Sequence, residues 1–235
     1  MGHRTRPLLL APGGPLVFPD PARADSEGLL AVGGDLQPKR LLLAYDNAIF
    51  PWYSDGLPPM WWSPDPRALF EPERLHVSRS MQRELKKQRF EVSFDRAFGR
   101  VLRECGRERE GGTWLLPEMI EAYEELHALG HAHSVEVWDA SALVGGLYGV
   151  HRGGLFAAES MFHRVTNASK VAVIAAVRSL FAAGIELFDV QFLTPHLESL
   201  GAFEVSRAEY LARLGRVRDK SVDLRGVEPV AFLSS

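Results

Sequence analysis

The chain has 235 residues, 46% hydrophobic and 24% charged, with a formal net charge of −3, a profile of a soluble globular protein that excludes a generally basic nucleic-acid binder. A single cysteine, Cys105, excludes a disulfide framework and a cysteine-rich zinc site. No apolar run reaches roughly 18 residues, and Leu8 to Leu10 is soon broken by Pro12 and Gly13, so neither a membrane span nor a signal peptide is expected and the cytoplasm is the expected compartment.

Residues 1–66 are dense in Pro and Gly. Between these breaks the pattern predicts a short strand over 29–32 and a helix that opens at Pro38 and runs through Leu41, Leu42 and Tyr45. This reads as a small N-terminal α/β lobe. The segment Trp61-Trp62-Ser63-Pro64-Asp65-Pro66 is its expected seam, because X-Pro repeats hold a chain extended and two indoles need a surface to cover them. Helices are predicted over 95–107, with Phe98, Val101, Leu102 and Cys105 on one face, and over 117–129, ending before Gly130. Strands over 134–138, 143–150 and 155–162 follow at hairpin spacing, as an antiparallel meander. A helix over 168–183, stopped by Gly184, and a strand over 186–192 complete the pattern. The expected class is α+β, with the small lobe over 1–66, a domain with a mixed, largely antiparallel sheet over 67–217, and a peripheral tail over 218–235.

The succession of strand, loop, helix and strand from Leu155 to His196 is how many acyl-CoA N-acyltransferases are built. Their loop carries glycines that let backbone N–H groups reach a pyrophosphate, whereas His163-Arg164-Val165-Thr166-Asn167-Ala168 has none. An acyl donor other than coenzyme A is therefore expected.

Three constellations could carry chemistry. Asp189 and Gln191 stand two apart on a strand, so alternation sends both to one face, and Glu159 lies near the end of another strand of the same sheet. A structural hydrogen bond is the competing reading of that pair. Between Arg79 and Arg109, ten basic residues face five acidic ones, a surplus that suits a polyanion or a solvated helix face. Trp52 and Trp114 sit in loops and can stack on nucleobases, while Trp61 and Trp62 fit interlobe packing. His131 and His133 lack a third ligand at recognisable spacing, so no metal is expected. Gly145, Gly146 and Gly149 suggest a bulge or the close approach of a ligand.

Taken together, the strings Gly28-Leu29-Leu30-Ala31-Val32-Gly33-Gly34-Asp35-Leu36, Trp61-Trp62-Ser63-Pro64-Asp65-Pro66-Arg67, Gly112-Thr113-Trp114, Gly130-His131-Ala132-His133-Ser134-Val135-Glu136, Gly145-Gly146-Leu147-Tyr148-Gly149, Glu159-Ser160-Met161-Phe162 and Asn167-Ala168-Ser169-Lys170 closely resemble the leucyl/phenylalanyl-tRNA–protein transferases. The resemblance implies an acetyltransferase-like (GNAT-like) second domain, a monomer and, because an aminoacyl ester is already activated, no cofactor. It also implies transfer of Leu or Phe, and Met less well, from aminoacyl-tRNA to proteins with an N-terminal Arg or Lys, marking them for degradation by the N-degron pathway. By the same resemblance Asp189, Gln191 and Glu159 are the catalytic set, and Trp52 and Trp114 stack on the 3′ adenosine. Leu147, Phe156, Met161 and Phe181 wall the amino-acid pocket, and Arg79, Arg83, Lys86 and Lys87 face the tRNA. A non-catalytic tRNA-binding protein and an acyl-CoA-dependent N-acyltransferase are the alternatives.

Overall fold

The computed structural model describes residues 6–107 and 115–231. In chain order its strands and helices are β1 (Leu8–Leu10), β2 (Leu29–Gly33), α1 (Pro38–Asp46), β3 (Phe50–Pro51), β4 (Met60–Trp62), β5 (Arg67–Phe70), α2 (Arg79–Lys86), β6 (Phe90–Phe94), α3 (Phe98–Cys105), α4 (Pro117–Ala128), β7 (Ala132–Asp139), β8 (Ala142–Arg152), β9 (Leu155–His163), α5 (Ala168–Ala182), β10 (Leu187–Gln191), α6 (Pro195–Glu198), β11 (Phe203–Val205) and α7 (Arg207–Val217).

Two sheets result, one of four strands in the order β1-β2-β4-β3 and one of seven in the order β11-β5-β10-β9-β8-β7-β6. The larger sheet is antiparallel except where β10 runs parallel to β9, because α5 carries the chain over the sheet between them. The α+β class is as expected. Several strands are not: β1, β3, β4 and β11 are two or three residues long, too short to show alternation. β5 is buried along its whole length, which removes the polar-apolar pattern that would reveal it. β6 ends where the helix over 95–107 was expected to begin. There Asp95 adopts a left-handed φ of 54° while its carboxylate accepts the Ser134 N–H at 2.8 Å. The helix starts instead at Phe98, its entry tied down by the buried Glu136 carboxylate, which accepts from the N–H groups of Arg96 and Ala97.

Trp61 is fully buried and donates from Nε1 to the Gly33 carbonyl, while Trp62 donates to the Trp52 carbonyl. One core cluster joins α1 and β2 of the small sheet to α3, α4 and β8, with Tyr45 packed beside Tyr123, so the two sheets share a core rather than touching at a rim. The second cluster, mostly aliphatic but with Phe70, Phe156 and Phe188 in it, surrounds α5, most of whose residues are buried. The glycines of β8 serve this packing. A Cβ at Gly145 would come within 2.6 Å of the Ala168 side chain, and one at Gly149 within 2.6 Å of the Phe156 ring, at a register shift between β8 and β9. Protein, not ligand, makes the close approach. The tail is less peripheral than its charges suggest, since Leu224 is 2% exposed in the second cluster and Val230 donates its N–H to Ser179 Oγ.

Candidate active site

The C-terminal end of β10 carries the expected pair, but alternation is interrupted there. Against β5 the register slips between Asp189 and Gln191, and Gln191 has a φ of 57°. That is a bulge, and it gives the two side chains separate partners. Asp189 is wholly buried and bidentate to Arg67, with Nε to Oδ1 at 2.9 Å and Nη2 to Oδ2 at 2.5 Å. The Tyr210 hydroxyl donates to Oδ2 at 2.9 Å, and the backbone N–H of Gln191 donates to Oδ1 at 2.9 Å. Arg67 completes its bonding at the Ala48 carbonyl and lies over the rings of Phe50 and Tyr210. Every strong group in this cluster is paired, as a buried ion pair requires. Asp189 therefore holds the backbone of Gln191 and does not touch its amide.

The Gln191 side chain turns to Glu159 instead, its Nε2 donating to Oε1 at 3.2 Å. The other carboxylate oxygen accepts from the Tyr123 hydroxyl at 3.1 Å, and Tyr123 is bonded in turn to Tyr45 at 2.9 Å. Burial pushes the Glu159 carboxyl up to about 8; the tyrosine hydrogen bonds and Arg67 pull against that rise, and the charge on Asp189 adds to it. A carboxyl near 8 exchanges a proton with an amine at neutral pH. Nearby, the Tyr148 hydroxyl is buried with no hydrogen-bond partner among the described residues.

Beside these groups opens a cavity of about 410 Å³, walled by Phe50, Met161, Val190, Phe192 and Leu197, with Trp52 at one side and Glu159 and Gln191 exposed to it. Trp52 is 44% exposed, its ring 6.0 Å from those of Trp62 and Phe192. An apolar chamber with a few convergent polar groups is the usual form of a small-ligand site.

Of the residues singled out from sequence, Trp52, Glu159, Met161 and Gln191 line this cavity, and Asp189 stands behind it. Leu147 and Phe156 are buried in the aliphatic cluster and Phe181 is half-buried against it, so these three stand outside the cavity lining; Leu147 is the cross-strand partner of Met161. Trp114 lies outside the described residues. Arg79, Arg83 and Lys86 on α2, and Lys87 at its end, are exposed, while Met81 and Leu85 anchor the helix. Part of the basic surplus is neutralised from outside the segment, Arg89 by Asp139 and Arg103 by Glu124. His133 is bonded to Asp95 at 2.6 Å. Arg67, Tyr123, Tyr45 and Tyr210 escaped the sequence reading. A hydroxyl on the apolar face of α4 was the available signal for Tyr123, and Arg67 closes the Trp-Trp-Ser-Pro-Asp-Pro-Arg string.

The family model of leucyl/phenylalanyl-tRNA protein transferase matches residues 69–215, and that of its N-terminal domain matches residues 34–65. The chain belongs to the leucyl/phenylalanyl-tRNA–protein transferase family. Relatives bearing that name include a protein of Anaeromyxobacter sp. strain Fw109-5, 56% identical over 212 residues, which are 89% of this chain and 90% of that protein. Another, from Citrobacter koseri, is 51% identical over 207 residues, 87% and 88% of the two chains. As a member of this transferase family, the protein is an enzyme. Its family segments meet at the step from β4 to β5, where the chain leaves the small sheet for the large one. A GCN5-related N-acetyltransferase from Kribbella flavida aligns at a TM-score of 0.39 and 10% identity over 72% of this chain and 61% of that one, a likeness too remote to argue from. No helix among the described residues is long and apolar enough to cross a membrane.

Proposed function

We propose that this transferase moves Leu or Phe, and Met less well, from its tRNA to the α-amine of an N-terminal Arg or Lys on an acceptor protein, marking it for degradation through the N-degron pathway. The observation that carries the reading is the apolar cavity with Glu159 and Gln191 at its wall. Such a chamber suits an aliphatic or aromatic side chain, and its polar wall suits the ester and the attacking amine.

An aminoacyl ester is already activated, so the reaction calls for neither ATP nor a metal. What limits attack is the amine, whose pKa of about 7.7 to 8.0 keeps much of it protonated at neutral pH. Because Gln191 donates from Nε2 to Glu159, its amide oxygen remains to accept an N–H of the amine and aim the nitrogen at the carbonyl carbon. Glu159, whose pKa of about 8 leaves a fraction ionised at neutral pH, acts from its carboxylate form, taking the amine proton as the C–N bond forms and returning it to the ribose oxygen as the C–O bond breaks. Asp189 acts through the Gln191 backbone and is a positioning residue.

In this reading Trp52, with Trp114, stacks on the terminal adenine, and Met161 touches the amino-acid side chain. Leu147, Phe156 and Phe181 back the Met161 wall, and Arg79, Arg83, Lys86 and Lys87 face the tRNA body. The enzyme works as a monomer in the cytoplasm. The test is to incubate the protein with Leu-tRNA labelled on the amino acid and peptides beginning with Arg, Lys or Ala. Label is expected on the first two and not on the third; label on none, or on all alike, overturns the reading.

A further inference from the structure

A second cavity, of about 490 Å³, adjoins the first and shares Met161 and His196 with it as a common wall. It lies where the segment leaving α3, the end of β9, the first turn of α5 and α6 come together, and its lining is of another kind. Among the described residues, Arg107, His163, Arg164, Ser169 and His196 face it, with Glu104 as the one acid. Arg164 is paired with Glu104 Oε2, and Arg107 Nη1 stands 3.6 Å from the same oxygen. Two guanidinium groups thus share one carboxylate. Among the described residues a full positive charge is left over without any contribution from His196, whose pKa is lowered by burial first and then by the charges of Lys170 and His163.

Two further features suit an anion. α5 opens at Asn167, whose side chain makes no capping bond, so the positive end of a 15-residue helix borders the cavity at Ser169. The Nε2 of His196 is buried at the wall with no hydrogen-bond partner among the described residues. Each guanidinium has donors beyond those spent on a single carboxylate.

The sign of the charge decides which substrate belongs here. An acceptor that begins with Arg or Lys brings positive charge and is repelled, whereas the donor's ribose is followed by phosphodiesters. We propose that this second cavity binds the internucleotide phosphates at the 3′ end of the donor, next to the ribose whose ester is attacked. The proposal rests on the reading of the donor as aminoacyl-tRNA. It also joins two distant parts of the surface. The chain leaving α6 is bonded to the segment that enters α2, His76 N–H to the Leu200 carbonyl at 2.9 Å, so a strand of phosphates leaving this cavity along α6 heads for the exposed cations of α2.

The test compares two donors, leucyl-adenosine, which has no internucleotide phosphate, and the leucylated trinucleotide cytidylyl-cytidylyl-adenosine, which has two. Arg164→Gln is expected to lower kcat/KM for the trinucleotide on the order of 10-fold more than for leucyl-adenosine, mainly through KM, as loss of a charged hydrogen bond would. Arg107→Gln, on another segment, should act in the same sense, and Arg164→Lys should recover part of the loss. Glu104→Gln supplies the opposite sign: with the competing carboxylate gone, KM for the trinucleotide should fall. If the arginine variants affect both donors equally or neither, or if Glu104→Gln weakens the trinucleotide as they do, the phosphates lie elsewhere. A lack of transfer from any donor by the unaltered protein would instead remove the reading on which the proposal stands.

Discussion

Two clusters meet at the end of β10 and differ in how completely they are satisfied. Around Asp189, a guanidinium, a phenol and a backbone N–H all converge on one carboxylate, nothing faces a cavity, and the charge is held in place. Around Glu159, an amide and a phenol reach a carboxyl that borders open space, and burial pushes it up to about 8. The first arrangement fixes geometry and the second holds a proton that can leave. Asp189 and Gln191 are close in sequence, yet the bulge between them assigns one to each cluster.

Breaking the satisfied cluster should have the largest effect on the fold. Asp189→Ala leaves Arg67 buried and unpaired and is expected to cost about 3 to 5 kcal/mol, read as a lower urea midpoint. A double replacement, Arg67→Met with Asp189→Leu, should restore most of that stability without restoring transfer, because the Gln191 N–H still lacks its acceptor. Full activity in the stable double variant would show that the contact does not position Gln191.

Glu159→Gln sharpens the contrast by removing the mobile proton. It should lower kcat on the order of 10²-fold, within the usual range for a lost acid-base group. It should also alter the pH dependence of stability. With its pKa raised in the folded state, Glu159 favours folding while protonated, so its contribution is complete below about 4.5 and is lost as pH rises through about 8. The unaltered protein should therefore lose up to about 1.4 kcal/mol per pH unit across that window, and the variant should not. Parallel stability curves for the two would place the titrating group elsewhere.

Effects on substrates should be smaller. Met161→Ala enlarges the cavity on the wall it shares with the second one and should change the ratio of Phe to Leu transfer several-fold while turnover with the better donor falls less. Lys86→Glu with Lys87→Glu lies remote from the chemistry. It should weaken binding of intact tRNA and flatten its salt dependence, while transfer from leucyl-adenosine falls far less. Unchanged affinity would leave α2 outside the tRNA surface.

How far the site was legible follows from the range of each interaction. Helices α1, α4 and α5 and strands β7, β8 and β9 announce themselves because amphipathic periodicity, a proline at a helix start and a glycine at its end act within a few residues. β5 left no such signature, being buried on both faces, and with it went Arg67, the partner of Asp189 from 122 residues away. Tyr123 looked like one more apolar position on α4 until Glu159 was found opposite it, 36 residues on. Leu147 and Phe156, named as pocket walls by resemblance, fall in the aliphatic core because the direction in which they point depends on the register shift at Gly149.

From composition, motif strings and local periodicity the chain could be assigned its class, most of its longer elements, its family resemblance and the polar residues Glu159, Asp189 and Gln191. These depend on residue identity and short spacing, which are written in the order of the amino acids. The division of labour among those residues could not be read that way. It rests on a bulge in β10, on a buried arginine from the adjacent strand β5, and on two cavities of opposite character that share Met161 and His196. Burial and charge act through space, so a carboxyl's pKa and a cavity's preference for an anion are set by groups that meet when the chain has packed.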